Sequence, residues 1–410
     1  MDSAPAAPYS PTKSMNRFAY LALAWLPLAP LSLAASLPSE VHDTTALIAE
    51  VDRNRILQAA TIAMEAEPLT ITTFRSEVSE GGPNDYYSNG DYWWPDPTKE
   101  DGLPYIRRDG ETNPQNFDSH RRVLREMRDR VAALAAAYLI TGDETYVTQS
   151  LDFLDSFFLD PESRMNPHLK YAQAIPGKTP GRGIGIIDTL HLIEVPKAIE
   201  VLAGSNRFPP KKLQQLKQWF ADYTDWMLTS RNGKEEAETT NNHAVCYWLQ
   251  VAVFAKFTGN EKHLTECRRR FREDFIAEQM APDGSFPREL ARTKPYGYSL
   301  FQLDNMATLC LVLSDEEHKL WTYQDSEGRS MRRAVDFLAP YIADKSTWPH
   351  KPDVQSWEGW PTRQSALLFA SIAFDEARFL ELWKQLKPDP EIEEIQRNVA
   401  ITQPILWLSK

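Results

Sequence analysis

Asn241, Asn242 and His243 stand together where an apolar helical pattern begins, in the stretch EEAETTNNHAVCYWLQVAVFAKFTGN, with Thr239 or Thr240 as the expected cap. A histidine in the first turn of a helix meets the positive end of the helix dipole. That field disfavours the imidazolium and keeps a neutral ring available as a base, while a neighbouring amide can bind a carboxylate. A second cluster follows in SFPRELARTKPYGYSL, where Arg288, Glu289, Arg292, Lys294, Tyr296 and Tyr298 lie between two helical stretches. Arginine suits carboxylate binding. A tyrosine can hand over a proton, but its free side chain ionises only at about 10, so Arg292 or Lys294 must lie close for the phenolate to form. Each cluster also has a purely structural reading: a capping His beside Asn, and a surface charge network around Arg288 and Glu289 that contributes little if exposed.

Two long irregular segments, 67–117 and 159–185, add a different chemistry. The first holds YYSNGDYWWPDP and PYIRRDGETNP, which bring Tyr92, Trp93, Trp94, Arg107 and Arg108 into one loop region together with Asp91, Asp109 and Asn113. Flat rings stack on the apolar faces of sugars, and amides and arginines bind hydroxyls and carboxylates. Trp93 and Trp94 serve equally well to pin the loop to the fold. The second segment, MNPHLKYAQAIPGKTPGRGIGIID, supplies His168, Lys170, Gln173 and Arg182. Its glycines follow no strand and lack phosphate-loop spacing. Long ordered loops in a compact domain usually line a site.

The elements that must hold these loops are helices. Apolar residues recur at helical spacing over 45–64, 123–140, 146–158, 187–202, 210–228, 242–258, 262–279, 298–313, 331–342 and 362–386. Strand-like alternation is scarce and no fixed-period repeat is present. An all-α fold follows, with about six to seven helical hairpins closing into an (α/α) toroid or incomplete barrel.

Composition narrows the function. The chain has 410 residues, with 42% hydrophobic and 25% charged residues and a formal net charge of −12. A large core is expected, and disorder, collagen-like repeats and nucleic-acid binding are disfavoured. An anionic substrate must then be met by a local cluster of Arg, Lys, Asn and His. Cys246, Cys267 and Cys310 lack the spacing of a disulfide framework or a zinc site and read as buried thiols. Asp96, Asp101 and Gly102 lack the spacing of a calcium loop, so no metal and no cofactor is expected. Residues 1–34 read as a signal peptide, with Met15 as an alternative start. An apolar run from Phe18 to Ala35 follows Lys13 and Arg17, and Ser32 and Ala34 precede the cut. The expectation is a secreted or periplasmic protein, free of the membrane after cleavage, with residues 35–410 as a single catalytic domain.

The Asn-Asn-His helix start, the Arg-Glu-Leu-x-Arg segment with its Tyr-containing helix start, and the Gly-Asp-Tyr-Trp-Trp-Pro and Arg-Asp-Gly-x-x-Asn-Pro loops together resemble the alginate-lyase type of polysaccharide lyase with an α/α toroid. The resemblance is strongest to polysaccharide lyase family 38 and spans roughly Tyr86 to Asp304. It implies β-elimination on a polyuronate, alginate (polymannuronate) first and glucuronan second, with an anionic polysaccharide as partner. In that reading Asn242, His243 and Arg292 neutralise the uronate carboxylate, so that charge developing at C5 is stabilised. His243 and Tyr298 share proton transfer, with Tyr298 as the acid and a further candidate for the base. Tyr298 is preferred to Tyr296 because it opens the next helix in Tyr-Ser-Leu. The loop residues Tyr92, Trp93, Trp94, Arg107, Arg108, His168, Lys170, Gln173 and Arg182, with Asn241, Arg288, Glu289 and Tyr296, would bind the chain. Two alternatives stay open. A glycoside hydrolase would need paired carboxylates, for which Glu236, Glu238, Glu289, Asp91 and Asp109 are candidates, and a non-catalytic carbohydrate-binding protein would use the Trp-rich loops alone.

Overall fold

The computed structural model describes residues 40–408; the expected signal peptide lies outside them. Helices α1 (Glu40–Val51), α2 (Arg53–Met64), α3 (Ser119–Thr141), α4 (Thr145–Leu154), α5 (Glu194–Leu202), α6 (Pro210–Thr229), α7 (Arg231–Ala237), α8 (Asn242–Thr258) and α9 (Glu261–Arg270) come first. A π-helical turn, Phe271–Ile276, carries α9 into α10 (Ala277–Gln279). The remainder comprises α11 (Pro287–Leu290), α12 (Pro295–Leu313), α13 (Met331–Ala343), α14 (Ser365–Ala373), α15 (Ala377–Gln385), α16 (Glu393–Gln396) and α17 (Ile405–Leu408).

The inner helices close a ring: α2 packs on α3, α3 on α5, α5 on α8, α8 on α12, α12 on α14, α14 on α1, and α1 on α2. An outer layer covers it, with α4 on α3, α6 and α9 on α8, α13 on α12 and α14, and α15 on α14. This is the α/α toroid expected from the periodicity. Sequence explains the division: α8 and α12 are apolar on nearly every face and buried along almost their whole length, as inner helices must be, whereas α15 buries only Phe379 and Trp383, an i,i+4 stripe. Each such large buried side chain contributes about 1.5–3 kcal/mol.

Two expected helices are in fact interrupted. The stretch 45–64 breaks at Asp52, whose buried carboxylate binds Arg55 and Arg363. The stretch 362–386 breaks at Asp375, where φ is +52°, which divides α14 from α15. The irregular segments carry four short strands: β1 (Tyr87–Asn89), β2 (Trp93–Trp94), β3 (Ile106–Arg107) and β4 (Tyr171–Ala174). β1 pairs in parallel with β4, and β2 antiparallel with β3. The β1–β4 ladder ties the two loops together, and the β2–β3 ladder folds the first loop back on itself. The three cysteines are free and buried.

The inner helices are capped from a distance. Neither Thr239 nor Thr240 caps α8: the Thr239 hydroxyl turns back to the Glu236 carbonyl at 2.8 Å, and the N-cap Asn241 makes no side-chain cap. The buried carboxylate of Glu289, on α11, takes the role instead, accepting from the Asn242 N–H at 2.8 Å. Likewise Asp353 accepts from the N–H groups of Tyr296 and Gly297 at the start of α12, both at 2.9 Å, and Asp304 accepts from Ala366 in the first turn of α14 at 2.8 Å. A carboxylate at a helix N-terminus satisfies a free donor and opposes the dipole. Here it also locks one element to another.

Candidate active site

The starts of α3, α8 and α12 meet at one cavity of about 250 Å³. Arg121 is the third residue of α3, Asn242 and His243 are the first two of α8, and Tyr298 is the fourth of α12; all four line the cavity. Because several inner helices point their N-termini at the same space, their dipoles add a positive field there. Its side chains reinforce that field, for the lining contains six arginines (Arg107, Arg121, Arg125, Arg182, Arg292 and Arg397) against two carboxylates, Asp91 and Asp188. A protein of net charge −12 thus holds a locally cationic cleft, the property an anionic ligand requires.

His243 is paired with Glu236, at 2.6 Å from Nδ1 to the carboxylate. Glu236 lies on α7 and is 1% exposed, whereas His243 remains open to the cavity. With a carboxylate as its partner Nδ1 carries the proton, so Nε2 is the basic nitrogen. Asn242 donates its amide to Glu289 at 2.6 Å, which fixes its side chain at the cavity wall. Glu289 is therefore the residue that positions Asn242 and lies behind the lining. Burial raises the Glu289 pKa, and the two bonds from Asn242 oppose that rise.

Tyr298 meets Tyr92 hydroxyl to hydroxyl at 2.9 Å. The Arg292 guanidinium lies 4.3 Å from the centre of the Tyr298 ring and reaches its hydroxyl at 3.3 Å. Arg292 is in turn held by Asp109, at 3.0 and 3.2 Å. Burial, with Tyr92 next, pushes the Tyr298 phenol well above its ordinary value, and the opposing charge of Arg292 does not overcome this. The phenol is thus neutral at physiological pH. Lys294, expected from sequence as a charge near Tyr298, pairs instead with Glu394 at 2.5 Å, with its ammonium 5.4 Å from the Tyr92 ring centre.

The remaining lining comes from distant parts of the chain. Arg121 binds Asp91 and, at 3.1 Å, Asp188. Asp188 also accepts from Ser88 at 2.5 Å and Gln173 at 3.1 Å. Gln173 has φ +49°, a conformation that costs energy outside glycine; its side chain also accepts from Arg182 at 2.8 Å. Arg397, beyond α16, bonds Tyr92 at 2.9 Å and Asp91 at 2.9 Å. Trp93 lies on the cavity with the Lys178 ammonium 4.4 Å from its centre.

Of the residues singled out from sequence, Asp91, Tyr92, Trp93, Arg107, Gln173, Arg182, Asn241, Asn242, His243, Arg292 and Tyr298 line this cavity. The others lie elsewhere. Trp94 donates to the Glu111 carbonyl with Arg108 over its ring. His168 pairs with Asp85 at 3.1 Å. Lys170 covers Tyr171, and Arg288 binds the Thr240 carbonyl. Tyr296 is fully buried against Trp348 and Trp357, its hydroxyl on the Tyr341 carbonyl at 2.9 Å. The reason is helical geometry: two residues are about 200° apart on a helix, so Tyr296 and Tyr298 face opposite ways. Sequence reasoning did not single out Arg121, Arg125, Asp188, His191 or Arg397. Their signal in α3 is a row of arginines, at 121, 125 and 128, on an otherwise apolar face.

The carboxylates a hydrolase would need are committed to cationic or amide partners. Glu236 holds His243, Glu289 holds Asn242, Asp109 holds Arg292, Asp91 holds Arg121 and Arg397, and Glu238 pairs with Arg270. A cationic cleft that carries a His-carboxylate pair and a neutral tyrosine suits an anionic substrate and proton transfer instead. The alginate lyase family model matches residues 70–348, and the chain belongs to that family. An alginate lyase from Bacteroides ovatus is 34% identical, over 87% of this chain and 96% of that one, with a TM-score of 0.75. Alginate lyase A1-III from Sphingomonas species A1, at 14% identity over 85% of this chain and 90% of that one, shares the fold with a TM-score of 0.55. No curated protein matches the chain.

Proposed function

We propose that the enzyme cleaves alginate by β-elimination, leaving an unsaturated uronate at the new end. The observation that carries this reading is the six-arginine cavity with His243 and Tyr298 on its wall. The C5 proton of a uronate is weakly acidic while the adjacent carboxylate is ionised. Arg292 and Asn242 neutralise that carboxylate, so the enolate-like charge that develops is stabilised. His243 takes the C5 proton through Nε2, with Glu236 stabilising the imidazolium. The C5 electron pair forms the double bond to C4, the C4–O4 bond breaks, and the neutral Tyr298 phenol gives its proton to O4. Proton transfer of this kind contributes roughly 10²- to 10⁴-fold to rate.

Elimination creates a conjugated product that absorbs in the ultraviolet, whereas hydrolysis and binding create none. Purified enzyme is expected to raise that absorbance on polymannuronate, with polyguluronate and glucuronan tested alongside; no rise on any polyuronate overturns the proposal. Residues 35–410 are the proposed catalytic domain. Export is part of the same reading, resting on the apolar run from Phe18 to Ala35. N-terminal sequencing of the protein recovered outside the cytoplasm should begin at Ala35.

A further inference from the structure

Three groups of the cavity lining take no part in the steps above. Arg125 lies one helical turn beyond Arg121 on α3, about 6 Å further from the helix start. Phe301 lies nearly one turn beyond Tyr298 on α12, and His191 lies at the end of the 3-10 stretch Gly183–Ile193 that leads into α5. All three line the cavity.

Their polar groups are under-used by the protein. Arg125 is 8% exposed, and among the described residues its one carboxylate partner is Glu393, at 2.9 Å through a single nitrogen. Glu393 is itself 59% exposed, so solvent screens the pair. Arg121, by contrast, has two carboxylates. Burial and the neighbouring Arg121 both act against the Arg125 charge. His191 is 3% exposed, and its Nδ1 has no hydrogen-bond partner. Burial, with Arg128 and Arg125 next, holds its pKa well below the ordinary value, so the ring is neutral; one nitrogen bonds the Arg397 backbone, which leaves Nδ1 as the free acceptor. A buried cation with a weak counter-ion, a neutral imidazole with spare hydrogen-bonding capacity and an aromatic face together match one acidic sugar.

We propose that Arg125, His191 and Phe301 form a binding subsite for a uronate unit beyond the two that the cleaved linkage joins. The sugar carboxylate pairs with Arg125, a ring hydroxyl bonds the His191 imidazole, and the apolar sugar face rests on Phe301. This inference rests on the polyuronate reading and adds a length preference to it: only chains long enough to reach this subsite gain from the contact.

The test is steady-state kinetics of the full chain on alginate oligomers of increasing length, comparing wild type with Arg125→Met and His191→Leu. The expected result for Arg125→Met is a KM raised roughly ten- to a hundredfold on long oligomers, with kcat changed much less and with no difference on the shortest oligomer cleaved. Arg125→Lys should recover part of the loss, which separates charge from folding. Glu393→Gln removes the existing ion partner and should leave KM near wild type. A KM penalty equal at every length, no penalty at all, or the same penalty in Glu393→Gln overturns the subsite. If wild type releases unsaturated product while the variants show no length dependence, the subsite alone fails. If wild type releases none from any polyuronate, the functional reading fails and the subsite falls with it.

Discussion

The hydroxyls of Tyr92 and Tyr298 are hydrogen-bonded to each other at 2.9 Å, and each is held from its other side by a different arginine, Arg397 on Tyr92 and Arg292 on Tyr298. The pair joins the turn before β2 to the start of α12, and it orients Tyr298, one of two phenols in the cavity wall that burial keeps protonated.

Tyr298→Phe should therefore lower kcat by roughly 10²- to 10⁴-fold, measured as the initial rate of ultraviolet absorbance. Tyr92→Phe removes the orienting bond together with the Arg397 contact, leaves the proton donor in place, and should cost about tenfold. An acid must be protonated to act, and the Tyr298 pKa stands well above 10.0. The rate should consequently show no alkaline decline caused by this group below pH 10.0. Equal activities of the two Phe variants would contradict the assignment.

Glu236→Gln keeps the size of the His243 partner and removes its charge. The imidazolium formed on proton abstraction then loses its counter-ion, so kcat should fall on the order of 10² while KM moves little. An unchanged kcat would mean that His243 does not take up a proton during turnover.

Tyr296→Phe offers a control two residues away. The lost bond to the Tyr341 carbonyl should cost about 1 kcal/mol of stability, read by urea unfolding, with kcat close to wild type. A loss of activity matching that of Tyr298→Phe would reverse the roles given to the two tyrosines.

Asp304, in the middle of α12, is pushed up by burial from 3.8 to about 7, against the bonds from Ala366 and Ser365. The folded state thus binds the proton more tightly than the unfolded chain does. The stability this contributes is complete below pH 3.8 and is lost as pH rises through about 7. Asp304→Asn removes that dependence, so urea unfolding across this window should show the variant gaining on wild type as pH rises. Parallel stability curves would refute it.

Much of this protein is legible along the chain because local physics writes a local pattern. The period of the apolar residues reveals the helices, and the runs Asn242-His243 and Arg292 to Tyr298 mark two helix starts that carry chemistry. Helical spacing also separates Tyr298 from Tyr296, once one of them is known to face the core. Which of the two does so is a tertiary matter, decided by Trp348 and Trp357. The same holds for the caps: Thr239 and Thr240 stood in the local position, but Glu289 won because α11 brings its carboxylate onto α8. The positive field is the clearest case. Arg397 reaches Asp91, Arg292 reaches Asp109, and Arg121 reaches Asp188 only because a closed ring turns several inner helices and two loops toward one point. No periodicity records that convergence, since partners so far apart in sequence are brought together by packing alone.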